Sequence, residues 1–206
     1  MPDPLSTKEK MVAGAADLIS RRGVNGTSLR NVVDYTATPR GSLSHHFPGG
    51  KMQMLEEAIA FASDAVAVPL HSAVTGKGVV KGLRTFISWW RDLLVESDYE
   101  AGCAVLAVAV EPLTSVEGAT AESPGQPEKL RLLAHQAFAR WETILADALR
   151  EEGVSAAQSR RLAVLSVAAV EGTVAMCRAA RSPKALDDVQ QELEAVLMAR
   201  IAGAKD

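Results

Sequence analysis

An all-α chain is what this sequence predicts, and three observations carry that reading. Apolar residues recur three and four apart through most of the 206 residues, no stretch reads as a credible strand, and proline and glycine divide the chain into about nine helical segments. With 48% hydrophobic and 23% charged residues, the chain can bury a substantial core, either as one extended domain or as a small domain plus a larger one.

Ser6-Thr7-Lys8-Glu9 has the form of a capping box, and Met11, Ala15, Leu18 and Ile19 continue one helical stripe as far as Gly23. Arg21 and Arg22 read as the solvated end of this first helix. Thr27 and Ser28 are both good N-caps for a second, in which Leu29, Val32 and Val33 form the buried face while Arg30, Asn31 and Asp34 point outward.

Pro39 pushes Thr38 into extended geometry and then supplies a first helical residue that has no N–H to lose. Thr38 is therefore the expected cap of a third helix over Pro39 to His45, which would be only roughly 10 Å long at ~1.5 Å rise per residue. So short a helix cannot stabilise itself, but it fits a major groove about 12 Å wide.

With Leu43 as its apolar anchor, Arg40, Gly41, Ser42, Ser44 and His45 fall on outer faces, and Gly41 lets the backbone approach a phosphate or base edge closely. Two short helices across a tight turn are the layout of a helix-turn-helix DNA reader. Arg40 is the expected base contact; Thr27, Thr38, His45, His46 and Lys51 are the expected phosphate contacts.

Charge agrees once it is divided along the chain. Residues 1–51 carry seven Lys or Arg against four Asp or Glu, or +3, which leaves −6 for the other 155 residues out of a total of −3. The basic part coincides with the reader, as an electrostatic footprint requires.

Beyond Lys51, the residues Met54, Leu55, Ala58, Ile59 and Ala62 carry a fourth helix to about Val68, where Pro69 is expected to end it. This helix, 51–68, would be the mechanical coupler. A glycine-containing linker follows over 71–78. Next come a helix over 79–97 with Leu83, Phe86, Trp90, Leu93 and Leu94 on one side, and a shorter apolar one over 102–111 stopped by Pro112. Residues 114–127 are small, polar and punctuated by proline and glycine, which reads as a mobile surface loop. Three helices remain, over 128–152, 155–181 and 183–202.

The stretch T-S-L-R-x-V, the signature R-G-S-L-x-H-H-F and the Lys-led fourth helix resemble the TetR family of one-component transcriptional repressors over about residues 6–60. H-H-F-P-G-G-K, together with Gly102-Cys103 and Glu111, looks closest to members that control efflux or catabolic operons. The resemblance implies a helix-turn-helix DNA-binding domain over 1–50 and a helical ligand-binding and dimerisation domain over 51–206. Two positions depart from the family pattern: Ala37 stands where glycine is usual in the turn, and Ser44 where tyrosine is usual. Alanine enters the left-handed region only at a steric cost.

A regulator needs an input site. Phe86, Trp89, Trp90, Cys103, Leu106, Val110, Phe138, Trp141 and Met176 are large or polarizable residues able to line an apolar ligand cavity, although apolar stripes at helical spacing more often pack a core. Glu111, at the end of an apolar helix, reads either as a polar group of that cavity or as a solvated cap; Glu171 and His135 raise the same question. Residues 161–177 are apolar nearly all round and rich in Ala, Ser and Gly. With Val189, Leu193, Val196, Leu197 and Ile201 they suit a two-helix dimerisation face, and a two-fold dimer calls for a palindromic operator.

His45 and His46 diverge on a helix and have no Cys, Asp or Glu partner at ligand spacing, so neither a metal nor another cofactor is expected. Ser42 lacks the strand-to-helix elbow of a hydrolase nucleophile. Cys103 and Cys177 sit in apolar helices, which suits a reduced cytoplasmic protein, and no signal or membrane anchor is expected. Two functions follow: a ligand-responsive repressor that binds double-stranded DNA as a homodimer and is released by a small apolar or aromatic effector, or a helical adaptor or enzyme with a degraded reader, as Ala37 and Ser44 suggest.

Overall fold

Ser6 fixes where the helical fold begins. Its Oγ accepts the Glu9 N–H at 3.3 Å while Glu9 Oε2 accepts the Ser6 N–H at 2.8 Å. Helix α1 (Thr7–Arg22) starts there in the computed structural model, which describes residues 5–112 and 126–204. Hydrogen bonds from Ser6, side chain first and backbone second, hold the Glu9 carboxyl below the ordinary glutamate range. Met11, Ala15, Leu18 and Ile19 are buried along one face, as the stripe requires.

Ser28, not Thr27, caps α2 (Leu29–Thr36), its Oγ accepting the Asn31 N–H at 3.1 Å. Val32 and Val33 turn inward. The third helix differs from the expected span over 39–45. Pro39 stays extended at ψ 127°, and its carbonyl accepts both the Ser42 N–H at 3.1 Å and the Ser42 hydroxyl at 2.6 Å. Those two bonds close a 3-10 turn, Arg40–Ser42, that runs into a single α-turn, α3 (Leu43–His46). Thr38 does not cap it, because its hydroxyl is hydrogen-bonded to that of Thr36 at 2.8 Å.

Helix α4 (Gly50–Lys77) does not end at Val68, and the expected linker over 71–78 is mostly helix. Pro69 removes one backbone hydrogen bond, but Val66, Ala67, Leu70 and Val74 are buried on either side of it, and their burial outweighs that loss. Gly78, at φ 75°, makes the turn into α5 (Val79–Glu96), whose first N–H is accepted by Glu152 at 3.0 Å. Then come α6 (Ala104–Val110), begun where Cys103 Sγ accepts the Leu106 N–H, α7 (Gln126–Glu151), α8 (Ala156–Ala180) and α9 (Lys184–Ala202). These nine α-helices, with no strand, make up the described residues. The loop expected over 114–127 lies outside them except for its last two residues, which open α7.

The chain gathers into two compact units, Met1–Asp64 with Cys103–Ala137, and Ala65–Gly102 with Phe138–Asp206. In the first, α1 packs against α2 and α6. In the second, α8 and α9 pack on each other and on α5, around a core that includes Leu83, Trp90, Leu94 and Trp141. Gly82 is required there, since a Cβ would stand 2.5 Å from Val74 Cα. Arg84 grips Glu194 with both guanidinium nitrogens, and Arg91 meets Asp187 at 3.0 Å, tying α5 to α9. Helices α4 and α8 are each long and apolar enough, by length and composition, to cross a membrane. Core helices of packed units meet the same criterion.

Candidate nucleic-acid interface and effector cavity

Leu43 is half-buried and anchors the short reader helix, leaving Arg40, Gly41, Ser44 and His45 exposed. Nothing lies within 4 Å of where a Gly41 Cβ would stand, so the backbone there is open to close approach. The Arg40 side chain is 69% exposed, and its Nη2 donates to Asp34 Oδ1 at 3.0 Å. Arg30 Nε lies 3.8 Å from the other oxygen of the same carboxylate. Asp34 thus fixes the direction of Arg40, a role the sequence reading missed. Helical spacing could reveal the Arg30–Asp34 pair, but the Arg40 contact crosses the turn.

His45 and His46 lie edge to face with ring centroids 5.1 Å apart, and His46, Thr38 and Lys51 are half-buried. Ser42 spends its hydroxyl on Pro39. Thr27 is a correction: it is fully buried and donates to the Gly23 carbonyl at 2.8 Å, so no phosphate can reach it. Ala37 ends α2 at φ 51°, ψ 37°, the left-handed conformation that glycine usually supplies.

Glu111 is a second correction. Its carboxylate accepts the Val24 N–H at 2.5 Å and the Asn25 N–H at 2.9 Å, while Asn25 Nδ2 donates to the Pro112 carbonyl at 3.2 Å. Glu111 therefore closes the corner after α1 rather than lining a ligand cavity. Gly23 is required at that corner twice over, by its φ of 74° and because a Cβ would stand 2.5 Å from Glu111 Oε2. Elsewhere in the first unit, Gln53 Oε1 accepts the Gly49 N–H at 2.8 Å and Lys8 reaches Glu57 at 2.9 Å. Burial works against the Glu57 charge, but hydrogen bonds from Lys8 and Gln53 prevail and its carboxyl sits below the ordinary value.

Within the second unit a cavity of about 10 Å³ is lined by Phe86 and Trp141, by aliphatic Val66, Leu70, Leu83, Leu145, Val167 and Val170, and by Ser166 and Glu171. Of the ten residues expected at an input site, the fold brings Phe86 and Trp141 to it. Trp89 and Trp90 pack with Phe86, with ring centroids 5.8 and 6.4 Å from it, and Phe138 stands edge-on to Trp141. Cys103 and Leu106 belong to the first unit at the start of α6, and Val110 and Met176 are 71% and 60% exposed. His135 is exposed. Ser166, missed from sequence, shares the cavity with Glu171.

An all-helical chain that presents a short, cation-bearing helix beside a tight turn defines a helix-turn-helix transcriptional regulator. Residues 11–58 match the model for bacterial regulatory proteins of the TetR family, and residues 79–192 match that for the C-terminal domain of LmrA/YxaF-like transcriptional regulators. The chain is 32% identical over 196 residues to an uncharacterized HTH-type transcriptional regulator of Mycobacterium tuberculosis, covering 94% of this chain and 95% of that one. It is 24% identical over 177 residues to the HTH-type transcriptional regulator LmrA of Bacillus subtilis, covering 85% and 88%. Among solved structures, a TetR transcriptional regulator from Legionella pneumophila superposes with a TM-score of 0.76 at 19% identity, covering 94% and 98%. A regulatory protein TetR from Rhodobacter sphaeroides does so with 0.76 at 17%, covering 91% and 97%. The chain belongs to the TetR family of transcriptional regulators. The proteins it matches are regulators and not enzymes, which removes the enzyme reading.

Proposed function

We propose that this regulator is a ligand-responsive repressor that binds a palindromic operator as a homodimer in the cytoplasm and leaves it when a small apolar or aromatic effector binds. The observation that carries this reading is the exposed surface of Arg40, Gly41, Ser44 and His45, flanked by Thr38, His46 and Lys51. In this reading residues 1–50 read DNA, and 51–206 hold the effector and the dimer contact. The motif H-H-F-P-G-G-K resembles that of repressors of efflux or catabolic operons, which supports an operon of that kind as the target.

Dimerisation is supported by Val164, Leu165 and Met176 on α8 and Val196 and Met198 on α9, all between 36% and 60% exposed. Ala168 and Gly172 on the same side of α8 are small enough to admit a close helix from a second copy. Helix α4 supplies residues to both units and is the coupler: a bound effector favours a reader spacing unsuited to the operator.

Selection from a random-sequence duplex pool should enrich an inverted repeat. On that duplex, Arg40→Ala should cost about 1–3 kcal/mol of discrimination against mismatched bases, whereas Lys51→Ala should weaken selected and random DNA alike. Enrichment of no sequence, or equal effects of the two substitutions on both kinds of DNA, would overturn the assignment.

A further inference from the structure

Glu171 lies in the middle of α8, is 6% exposed, and is the one ionisable side chain among the residues lining the cavity of the second unit. A carboxylate in an aliphatic and aromatic wall is costly to keep charged, and it stabilises any cation that enters beside it. Ser166 lines the same space. Its hydroxyl donates to the Leu162 carbonyl at 2.8 Å, which leaves the oxygen able to accept. Phe86 and Trp141 add ring faces or edges, and a ring face attracts a cation within about 6 Å.

Resting on the effector reading above, we infer that the effector is a lipophilic amine bound as its ammonium, with the head at Glu171 and Ser166 and the hydrocarbon body against Phe86 and Trp141. The cavity of about 10 Å³ is close to the room one water needs, and a primary ammonium is of that size with three N–H donors to offer Glu171 and Ser166. Drug-sized sites enclose roughly 300–1,000 Å³, so the body of the effector enters by displacing side chains of this wall. That displacement is the work through which binding is felt in the rest of the second unit.

The test is calorimetric titration of the full chain at pH 7 with 4-phenylbutylamine, its neutral isostere pentylbenzene and the anion 5-phenylpentanoate. The amine should bind at least about tenfold more tightly than the other two, and Glu171→Gln should bring amine and hydrocarbon to within about twofold while leaving hydrocarbon affinity unchanged. Comparing the three compounds on the unmodified chain decides the matter even if the variant fails to fold. Equal or tighter binding of the hydrocarbon or the acid overturns the amine assignment and leaves the cavity as an effector site. Binding of none of the three overturns both.

Discussion

Arg40 and Asp34 show how single residues set this surface. An unrestrained arginine loses rotamer freedom on meeting a base edge, whereas one already held by a carboxylate at 3.0 Å has surrendered part of that freedom in the free protein. Ala37 shows a cost borne at one position: a left-handed alanine is strained by about 1–2 kcal/mol. Glycine's greater freedom in the unfolded chain takes back about 0.4–1 kcal/mol, so with a net gain on the order of 1 kcal/mol Ala37→Gly should raise the melting temperature by roughly 2–4 °C for a chain of this size, and a lowered one would show that the conformation is not strained. Residue 37 was legible as a tight turn because the second helix had to end before Pro39. Thr27 and Glu111 were not legible. Either of two adjacent hydroxyls could cap α2, and Glu111 finds its partner 87 residues away, where no local period points.

At the scale of elements, helices were easier to find than to end. Stripes of buried side chains located α1, α5, α8 and α9, whereas Pro69 read as a stop and sits inside α4, because burial on both sides of it overrides propensity. The clamp of α6 on the corner after α1 can be tested by Glu111→Ala. It leaves the part-buried Val24 amide and the exposed Asn25 amide without their acceptor, so hydrogen exchange at both should quicken, and stability should fall by about 1–3 kcal/mol, mostly through Val24. Unchanged exchange at both amides would contradict the clamp.

The α5–α9 tie has a pH signature. The Arg84 hydrogen bond, opposed by burial, holds the Glu194 carboxyl below its ordinary value. A carboxyl whose pKa is lowered by folding contributes stability above its unfolded value of about 4.3, and that contribution disappears as pH falls through the folded value. Glu194→Gln should lower the melting temperature at pH 7 and converge with the parent chain only as pH falls through the lowered folded value of Glu194. A difference that persists undiminished in acid would mean the pair acts through packing alone.

Across the whole molecule, a chain of net charge −3 meets a polyanion with a local excess of +3 in residues 1–51. Association should therefore depend on phosphate contacts from two readers, and hence on salt. The direct measurement is the affinity of the full chain for a selected inverted-repeat duplex, by fluorescence anisotropy over a range of salt concentrations. If the excess of +3 in residues 1–51 neutralises about three phosphates per reader, two readers give a slope of log affinity against log salt of about −5. A slope near zero, or binding that saturates with one copy per duplex, would contradict a paired, groove-reading surface built on Arg40 and its neighbours.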